Sequence, residues 1–290
     1  MKAPNFAYER PGTLSEAFGL LRRYGEGARI LAGGQTLLAT LNMRLSEPDI
    51  LIDINHIEAL KGIAVVDGRL RIGALARHCE IETSPLIAAH LPLLAKAAPH
   101  VAHAAIRHRG TFGGSIALAD PAAEWPACAV AMDAQIVLDD GARQRKLYAS
   151  DFFVDLYQTD LRPFEMVTAC EFAIAVPPRR TAFIELARRH GDYAIVGVAA
   201  SAAGAAESGA SAVLEDLRIV FFGVGNTPIR ALGAETALNG RHAGSEEFRR
   251  AIESLPEDMD PAGDLYNSPR TKLHLAGVLL RRAVAELTGG

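Results

Sequence analysis

The sequence of 290 residues is long enough to bury a sizeable core over two or three compact units, and its 49% hydrophobic and 22% charged residues describe a globular protein. A net charge of −4, with Lys and Arg spread along the chain, argues against a nucleic-acid-binding protein, which concentrates basic residues on one face. No apolar stretch approaches about 18 uncharged residues, and the N-terminus lacks the apolar segment of a signal peptide, so we expect a cytoplasmic protein without a membrane span.

The first 57 residues predict a βαβ-like unit. The sequence T-L-S-E at residues 13–16 is a capping box that opens a helix, and Gly25 is the predicted end of that helix. A strand over 29–32, a short helix and a buried strand over 50–54 follow. We therefore assign residues 1–57 to a first subdomain.

Residues 58–176 predict a second α+β subdomain with two hairpins. Asp67-Gly68 and Asp140-Gly141 each stand between two short strand-like runs, as in tight hairpin turns. Helical segments lie between the two hairpins. Asp120-Pro121 is expected to open a further helix with Asp120 as its N-cap, and a last strand is expected over 166–176.

Pro177-Pro178 marks the predicted start of a third unit, residues 177–290, because consecutive prolines followed by two arginines are typical of a domain boundary. Strand-like runs follow at residues 182–187, 194–206 and 213–222. They include a predicted glycine-tipped hairpin over 199–212, and a final helix is predicted to open at Ser268. The order of elements is α+β, α+β, and then a small sheet with helices.

Two short segments with paired glycines are candidates for a binding site. The first glycine segment is A-G-G-Q-T at residues 32–36, and the second glycine segment is T-F-G-G-S at residues 111–115. Glycine lets the backbone approach an anion, and a helix that begins after such a turn adds free N–H groups. A tight turn alone explains one such segment, but two such segments favour a site in which both lie against one bound diphosphate. Neither segment is a Walker A or a Rossmann motif.

Two further stretches carry polar side chains that suit a nucleotide cofactor. In A-D-P-A-A-E-W, Asp120 and Glu124 either stabilise the start of a helix, or Glu124 binds ribose hydroxyls while Asp120 holds the loop. Tyr193, which precedes an apolar strand, is either a core aromatic residue with a solvated hydroxyl or a cover for the face of a planar cofactor. The residues alone leave these alternatives open.

Metal and nucleophile sites have little support in the sequence. Cys79, Cys128 and Cys170 are far apart and outside any C-x-x-C motif, so we expect free buried thiols and no zinc or iron–sulfur site. His100 and His103 have the spacing of one helix face, but no nearby carboxylate or cysteine completes a ligand set. No G-x-S-x-G motif is present, so we expect no catalytic triad.

Three stretches together resemble the FAD-binding medium subunit of bacterial molybdenum hydroxylases: LAGGQTLLATLNMRLSEPDILIDI, IRHRGTFGGSIALADPAAEWPA and ELARRHGDYAIVGVAA. The chain is thus similar to the medium subunit of aerobic carbon monoxide dehydrogenase and to the FAD domain of xanthine dehydrogenase. The resemblance implies an α+β, two-subdomain FAD-binding fold of the vanillyl-alcohol-oxidase/PCMH type, plus a C-terminal small sheet with helices.

Carried over residue by residue, the resemblance also implies a set of FAD-binding residues. The two glycine segments would hold the diphosphate through N–H and hydroxyl groups, and Glu124 would bind the ribose. Ile106 and Val167 would form a wall beside the flavin, and Tyr193 would cover its ring. The complete predicted set is Ala32, Gly33, Gly34, Gln35, Thr36, Leu37, Ile106, Thr111, Gly113, Gly114, Ser115, Asp120, Glu124, Val167 and Tyr193.

Four positions depart from the pattern of the family. Gln35, Thr36 and Ser115 replace other residues common there, but they keep the capacity for hydrogen bonding. Glu185 stands where a lysine is common, so the charge usual at that position cannot be assumed.

The resemblance further implies partner subunits. A large subunit would carry the molybdopterin cofactor and a small subunit two [2Fe–2S] clusters, in a dimer of heterotrimers. Electrons would pass from the clusters through FAD in this chain to an external acceptor, so this oxidoreductase subunit would not oxidise the primary substrate itself. Two alternatives remain: a self-sufficient FAD-dependent oxidase of the same fold, and a non-enzymatic assembly protein with an empty cleft.

Overall fold

The computed structural model describes residues 2–203, 212–242 and 244–289. Its N-terminal part contains a sheet of three parallel strands. The strands are β1 (Ala7–Glu9), β2 (Ala28–Leu31) and β3 (Ile50–Asp53), in the order β1-β3-β2. Helix α1 (Leu14–Tyr24) joins β1 to β2, and α2 (Leu37–Asn42) joins β2 to β3. The predicted βαβ-like unit is confirmed, but strand β1 was not predicted, because its three residues are all exposed and show no alternation.

Helix α1 begins and ends where the sequence predicts. Thr13 Oγ1 accepts a hydrogen bond from Glu16 N at 3.2 Å, and Glu16 Oε2 accepts one from Thr13 N at 3.2 Å. Gly25 is the C-cap. Buried Phe18 packs in one core with Ile50 of the sheet, and this core supports the end of β2 from which the first glycine segment departs.

A five-stranded antiparallel sheet forms the middle of the chain. Its strands are β4 (Ile63–Val66), β5 (Arg69–Gly73), β6 (Gln135–Asp139), β7 (Gln144–Tyr148) and β10 (Met166–Ala173). A separate hairpin of β8 (Phe153–Asp155) and β9 (Gln158–Thr159) lies between β7 and β10 in the chain. The sheet order is β4-β5-β10-β6-β7. Both predicted hairpins are confirmed, and Asp67 and Gly68 have φ values of 49° and 73°, as this tight turn requires.

The helices of this middle part lie mostly between its two hairpins. They are α3 (His78–Thr83), α4 (Pro85–His90), α5 (Pro92–Ala97), α6 (Ala104–Arg107), α7 (Phe112–Leu118), α8 (Glu124–Ala131) and α9 (Ala149–Phe152). Thr111 is the N-cap of α7, so the second glycine segment forms the first turn of a helix and does not precede one.

The predicted helix start at Asp120 is wrong. Helix α8 begins at Glu124 with Ala123 as its N-cap, and Asp120 Oδ1 accepts a hydrogen bond from Ala122 N at 2.9 Å. An aspartate that bonds the backbone two residues further on forms an Asx turn, which competes with helix formation. Asp120 therefore shapes the loop between α7 and α8.

A second antiparallel sheet and a group of helices form the C-terminal part. In chain order they are β11 (Arg180–Leu186), β12 (Val196–Ala203), β13 (Glu215–Phe222), β14 (Ile229–Arg230), α10 (Leu232–Leu238), α11 (Ser245–Asp258) and α12 (Pro269–Thr288). Strands β12 and β13 pair as in the predicted hairpin, whose glycine tip at residues 204–211 lies outside the described residues. Ser268 caps α12 as predicted, since its Oγ accepts a hydrogen bond from Thr271 N at 3.1 Å.

Both faces of the C-terminal sheet are buried. Phe183 and Phe222 stack at 5.6 Å and join the core of the middle part beside α8, while the opposite face packs against α12. Ser201 Oγ donates a hydrogen bond to Ala131 O at 2.8 Å, at the C-terminal end of α8. These contacts fix the C-terminal sheet against the rest of the molecule.

The cysteines are free thiols; Cys128 and Cys170 are buried as predicted, whereas Cys79 is partly exposed. Within the described ranges, no three His, Cys, Asp or Glu side chains come together as a metal-binding group. None of the described helices combines the length and the apolarity needed to cross a bilayer.

Candidate functional site

A cavity of about 670 Å³ lies between the N-terminal sheet, helices α6 to α8 and the loop that follows β11. Its volume is in the range of pockets that hold small ligands and cofactors. Every residue of the predicted site set lies in its wall, although the set is drawn from segments between residues 32 and 193. The fold thus brings the predicted residues to one place.

The first glycine segment contributes hydrogen-bond donors to this cavity. Gln35 Nε2 donates to Gly33 O at 2.8 Å, and Leu38 N donates to Gly34 O at 3.0 Å. By contrast, the backbone N–H groups of residues 33–36 have no acceptor in the part of the chain that the structure describes. Free N–H groups that precede a helix form a site for an anion.

Gly33 also brings two parts of the chain into direct contact. A Cβ atom at Gly33 would lie 2.5 Å from Arg109 O and 2.7 Å from Gly110 Cα, so only glycine fits there. The first glycine segment therefore lies against the residues that lead into the second.

The second glycine segment offers fewer free donors than the sequence predicts. Gly113 N donates to Ala74 O at 2.9 Å, Gly114 N to Thr111 Oγ1 at 3.1 Å, and Ser115 N to Thr111 O at 3.1 Å. Because these N–H groups already have acceptors within the fold, hydroxyl groups, such as that of Ser115, are the donors that this segment can offer a ligand.

Two acidic side chains lie at another part of the cavity wall. Glu124 is 8% exposed, and burial, together with the negative charge of Asp120, raises the pKa of its carboxyl to about 7. Asp120 Oδ2 accepts a hydrogen bond from the Tyr157 hydroxyl at 3.2 Å. Near neutral pH, Glu124 can thus either donate or accept a hydrogen bond.

Tyr193 lies at the cavity wall in the loop between β11 and β12. Its side chain is 64% exposed, so it is not a core aromatic residue. Desolvation, followed by the negative charge of Asp120, raises the pKa of its hydroxyl well above the ordinary value. An exposed ring at a cavity wall can cover a planar group.

Sequence reasoning missed several polar residues of the wall, among them His78 and Tyr157. Trp125 Nε1 donates a hydrogen bond to His78 Nδ1 at 3.0 Å, across 47 positions in the sequence. Tyr157 reaches Asp120 across 37 positions. No local pattern signals such pairs, because they arise from tertiary packing alone.

Glu185 lies outside the cavity wall, in β11. Its side chain is 3% exposed, Oε2 has no hydrogen-bond partner among the described residues, and His100 Nδ1 is 4.0 Å away. Burial and the charge of Glu124 raise the pKa of Glu185 to about 8. At neutral pH this position therefore carries a mainly protonated acid.

The α+β fold and the cavity, with free N–H groups at a glycine turn and apolar side chains in its wall, fit a protein that binds a nucleotide cofactor. Residues 4–177 match the FAD-binding domain of molybdopterin dehydrogenases, and residues 181–287 match the C-terminal domain of the carbon monoxide dehydrogenase flavoprotein. The chain belongs to this family of FAD-binding medium subunits of molybdenum hydroxylases, which are oxidoreductases. The predicted fold class and cofactor are confirmed.

Similar proteins extend over nearly the whole chain. The 6-hydroxypseudooxynicotine dehydrogenase complex subunit alpha of Paenarthrobacter nicotinovorans is 35% identical over 99% of this chain and 95% of its own length. Caffeine dehydrogenase subunit beta of Pseudomonas sp. strain CBB1 is 36% identical over 98% of this chain and 95% of its own. The structure of carbon monoxide dehydrogenase from Hydrogenophaga pseudoflava superposes with a TM-score of 0.93 at 34% identity, covering 99% and 98% of the two chains.

The residues of the cavity fit FAD. Free N–H groups at 33–36 suit a diphosphate, which needs donors, and Gly33 leaves no side chain between the two segments that meet there. Apolar side chains such as Ile106 and Val167 suit an aromatic ring system.

Proposed function

We propose that this chain is the FAD-carrying, electron-transfer subunit of a heterotrimeric molybdenum hydroxylase. It receives electrons from two [2Fe–2S] clusters of a small subunit and passes them to an external acceptor, while a large subunit with the molybdopterin cofactor oxidises the substrate. The complex is a dimer of such heterotrimers. The observation that supports this most is the cavity that joins free N–H donors at residues 33–36 to an apolar wall.

The proposal gives each part of the wall a role. Residues 32–37 and the Ser115 hydroxyl bind the diphosphate. Thr111, Gly113 and Gly114 form the first turn of α7 beside it. Glu124 binds ribose hydroxyls, and Asp120 holds the loop. Ile106 and Val167 enclose the flavin, and Tyr193 covers its ring. Residues 1–57 and 58–176 form the two FAD-binding subdomains, and residues 177–290 form the C-terminal domain.

When bound, FAD supplies the reversible uptake of one or two electrons. The chain itself contributes binding, orientation and exclusion of water, and we assign it no catalytic acid or base. The names of its relatives cover a nicotine derivative, caffeine and carbon monoxide. That range supports assigning the choice of substrate to another subunit.

Purification of the native complex through a tag on this chain tests the proposal. We expect a large and a small subunit in equal amounts, a mass of two heterotrimers, and FAD, molybdenum and four iron atoms per heterotrimer. Electrons from the substrate should reach FAD only in the complete complex.

Reduction of the isolated chain by alcohols, aldehydes or amines would favour the self-sufficient oxidase. A colourless chain that takes up no FAD and lacks flavin bands near roughly 370 and 450 nm would favour the assembly protein.

A further inference from the structure

His78 is a buried histidine of the cavity wall with one ring nitrogen bonded and the other open. The residue is 6% exposed at the start of α3. Its Nδ1 accepts the hydrogen bond from Trp125 Nε1, at 3.0 Å, whereas Nε2 has no hydrogen-bond partner among the described residues. The open nitrogen is a polar group without a function in the fold itself.

The bond to Trp125 determines where the imidazole carries its proton. An indole N–H can only donate, so Nδ1 must be the acceptor, and the single proton of the neutral ring is then on Nε2. A second proton at Nδ1 would set two N–H groups against each other. Burial and the positive charges of Arg77 and Arg107 also lower the pKa of His78 to about 4. The ring is therefore a neutral donor through Nε2.

This donor lies beside the contact between the two glycine-rich parts of the cavity. A Cβ atom at Gly110 would lie 2.6 Å from His78 Nε2, and a Cβ at Gly33 would lie 2.7 Å from Gly110 Cα. Gly110 thus lies against both His78 Nε2 and the segment whose N–H groups, at residues 33–36, also lack acceptors. A cluster of donors without acceptors suits a ligand group that only accepts, such as a phosphate.

We propose that His78 donates its Nε2–H to a diphosphate oxygen of FAD, and that Trp125 is a positioning residue that keeps the proton on Nε2. The inference rests on the proposed FAD site and adds a donor to it. A free histidine becomes charged below about pH 6.5 and then binds phosphate more tightly. A histidine held neutral by Trp125 binds with the same strength across this range.

Titration of the FAD-free full-length chain with FAD and with ADP, which has a diphosphate but no flavin, tests the donor. His78→Phe should weaken the binding of both by about tenfold or more, the usual effect of losing one hydrogen bond to a charged group. His78→Gln, which keeps an N–H at similar reach, should restore affinity to within about threefold. His274→Phe, at an exposed position of α12, is the control and should bind like the wild type.

Nuclear magnetic resonance of the chain labelled with ¹⁵N-histidine tests the position of the proton. The His78 signals are identified as those that the spectrum of His78→Phe lacks. In the wild type they should show a protonated Nε2 and an unprotonated Nδ1 down to about pH 5.5. In Trp125→Phe, which removes the indole N–H and keeps an aromatic ring, FAD affinity should rise as the pH falls below about 6.5, and in the wild type it should not.

A proton on Nδ1 in the wild type would overturn the inference, as would equal affinities of the wild type and His78→Phe. A loss of affinity for FAD without a loss for ADP would overturn the assignment to the diphosphate. Failure of the wild type to bind FAD would instead contradict the proposed function, and the resonance measurement would still report on His78 by itself.

Discussion

Gly33 determines how closely the two halves of the proposed diphosphate site approach. A methyl group there would overlap Arg109 O and Gly110 Cα, at 2.5 and 2.7 Å, and both are backbone atoms that cannot rotate away. We expect Gly33→Ala to lower FAD affinity at least about tenfold, because the free N–H groups would shift by more than hydrogen-bond tolerance. Fluorescence titration with FAD measures the change.

Gly19 provides the matched control for this substitution. A Cβ atom at Gly19 in α1 would meet nothing within 4 Å. Gly19→Ala should keep FAD affinity and stabilise the chain by about 0.5–1 kcal/mol, since alanine favours a helix interior. Unchanged FAD binding in Gly33→Ala would contradict the role given to that contact.

Glu124 makes the stability of the FAD-free chain depend on pH. Because its pKa is raised to about 7, the folded state keeps a proton that the unfolded state releases above pH 4.5. The stability that this proton provides is complete below pH 4.5 and is lost as the pH rises through 7. Urea unfolding should therefore show that the free energy of unfolding of Glu124→Gln, relative to that of the wild type, increases by about 2–3 kcal/mol from pH 5 to pH 8.

Glu246, on the exposed side of α11, supplies the comparison for that experiment. Water and neighbouring arginines solvate its carboxylate, and its pKa is lowered, chiefly by the hydrogen bond from Arg249. Glu246→Gln should show no gain in stability as the pH rises. A flat difference between Glu124→Gln and the wild type would mean that the Glu124 carboxyl ionises as it does in water.

At the scale of single residues, the sequence predicted which residues line the cavity better than it predicted their hydrogen bonds. Glycine pairs and small hydroxyl residues are local patterns, and the residues chosen from them all line the cavity. His78 and Tyr157 were missed because their partners, Trp125 and Asp120, are distant in sequence. The free donors at residues 33–36, in contrast with the engaged ones in the second segment, depend on backbone geometry that composition does not encode.

Helix α7 begins with a cap that also forms the cavity wall. Thr111 is 2% exposed, and its Oγ1 accepts the hydrogen bond from Gly114 N at 3.1 Å. Thr111→Val keeps the shape of the side chain but removes the acceptor, and it should destabilise the chain by about 1–2 kcal/mol in urea unfolding. Thr111→Ser keeps the oxygen and should lose less than half as much. Equal losses in the two variants would show that packing, and not the cap, is what matters.

Element types were predictable where the signal is local. The capping box at residues 13–16, the Asp-Gly hairpins and the Ser268 cap each require only a few consecutive residues, and all are present. The start of α8 was misplaced because Asp120 can serve either as an N-cap or in an Asx turn. In the fold, Oδ1 of Asp120 accepts a hydrogen bond from Ala122 N, and Oδ2 accepts one from the Tyr157 hydroxyl.

On the scale of the molecule, Ser201 links the C-terminal sheet to the rest of the chain. Its Oγ donates to Ala131 O and accepts a hydrogen bond from Arg179 Nε at 3.3 Å, in a fully buried position. Ser201→Ala would leave a carbonyl at the end of α8 without its donor, so we expect a loss of about 1–2 kcal/mol. Urea unfolding followed by both Trp125 fluorescence and circular dichroism measures this loss.

Exposed Ser150 is the control, and Ser150→Ala should change stability by less than about 0.5 kcal/mol. A loss in Ser201→Ala that appears in circular dichroism but not in Trp125 fluorescence would mean that the C-terminal sheet unfolds separately. The change in sequence pattern at Pro177-Pro178 was visible in the sequence. The packing of β12 on α8 was not visible there, since it joins residues far apart in the chain.

The cavity wall is assembled from residues as distant as Arg29 and Tyr193. Because the ribosome makes the chain from its N-terminus, about two-thirds of it must be synthesised before the last part of the wall exists. A nascent chain that ends before Tyr193 lacks part of this wall. We therefore expect stable cofactor capture to be a late event in biosynthesis.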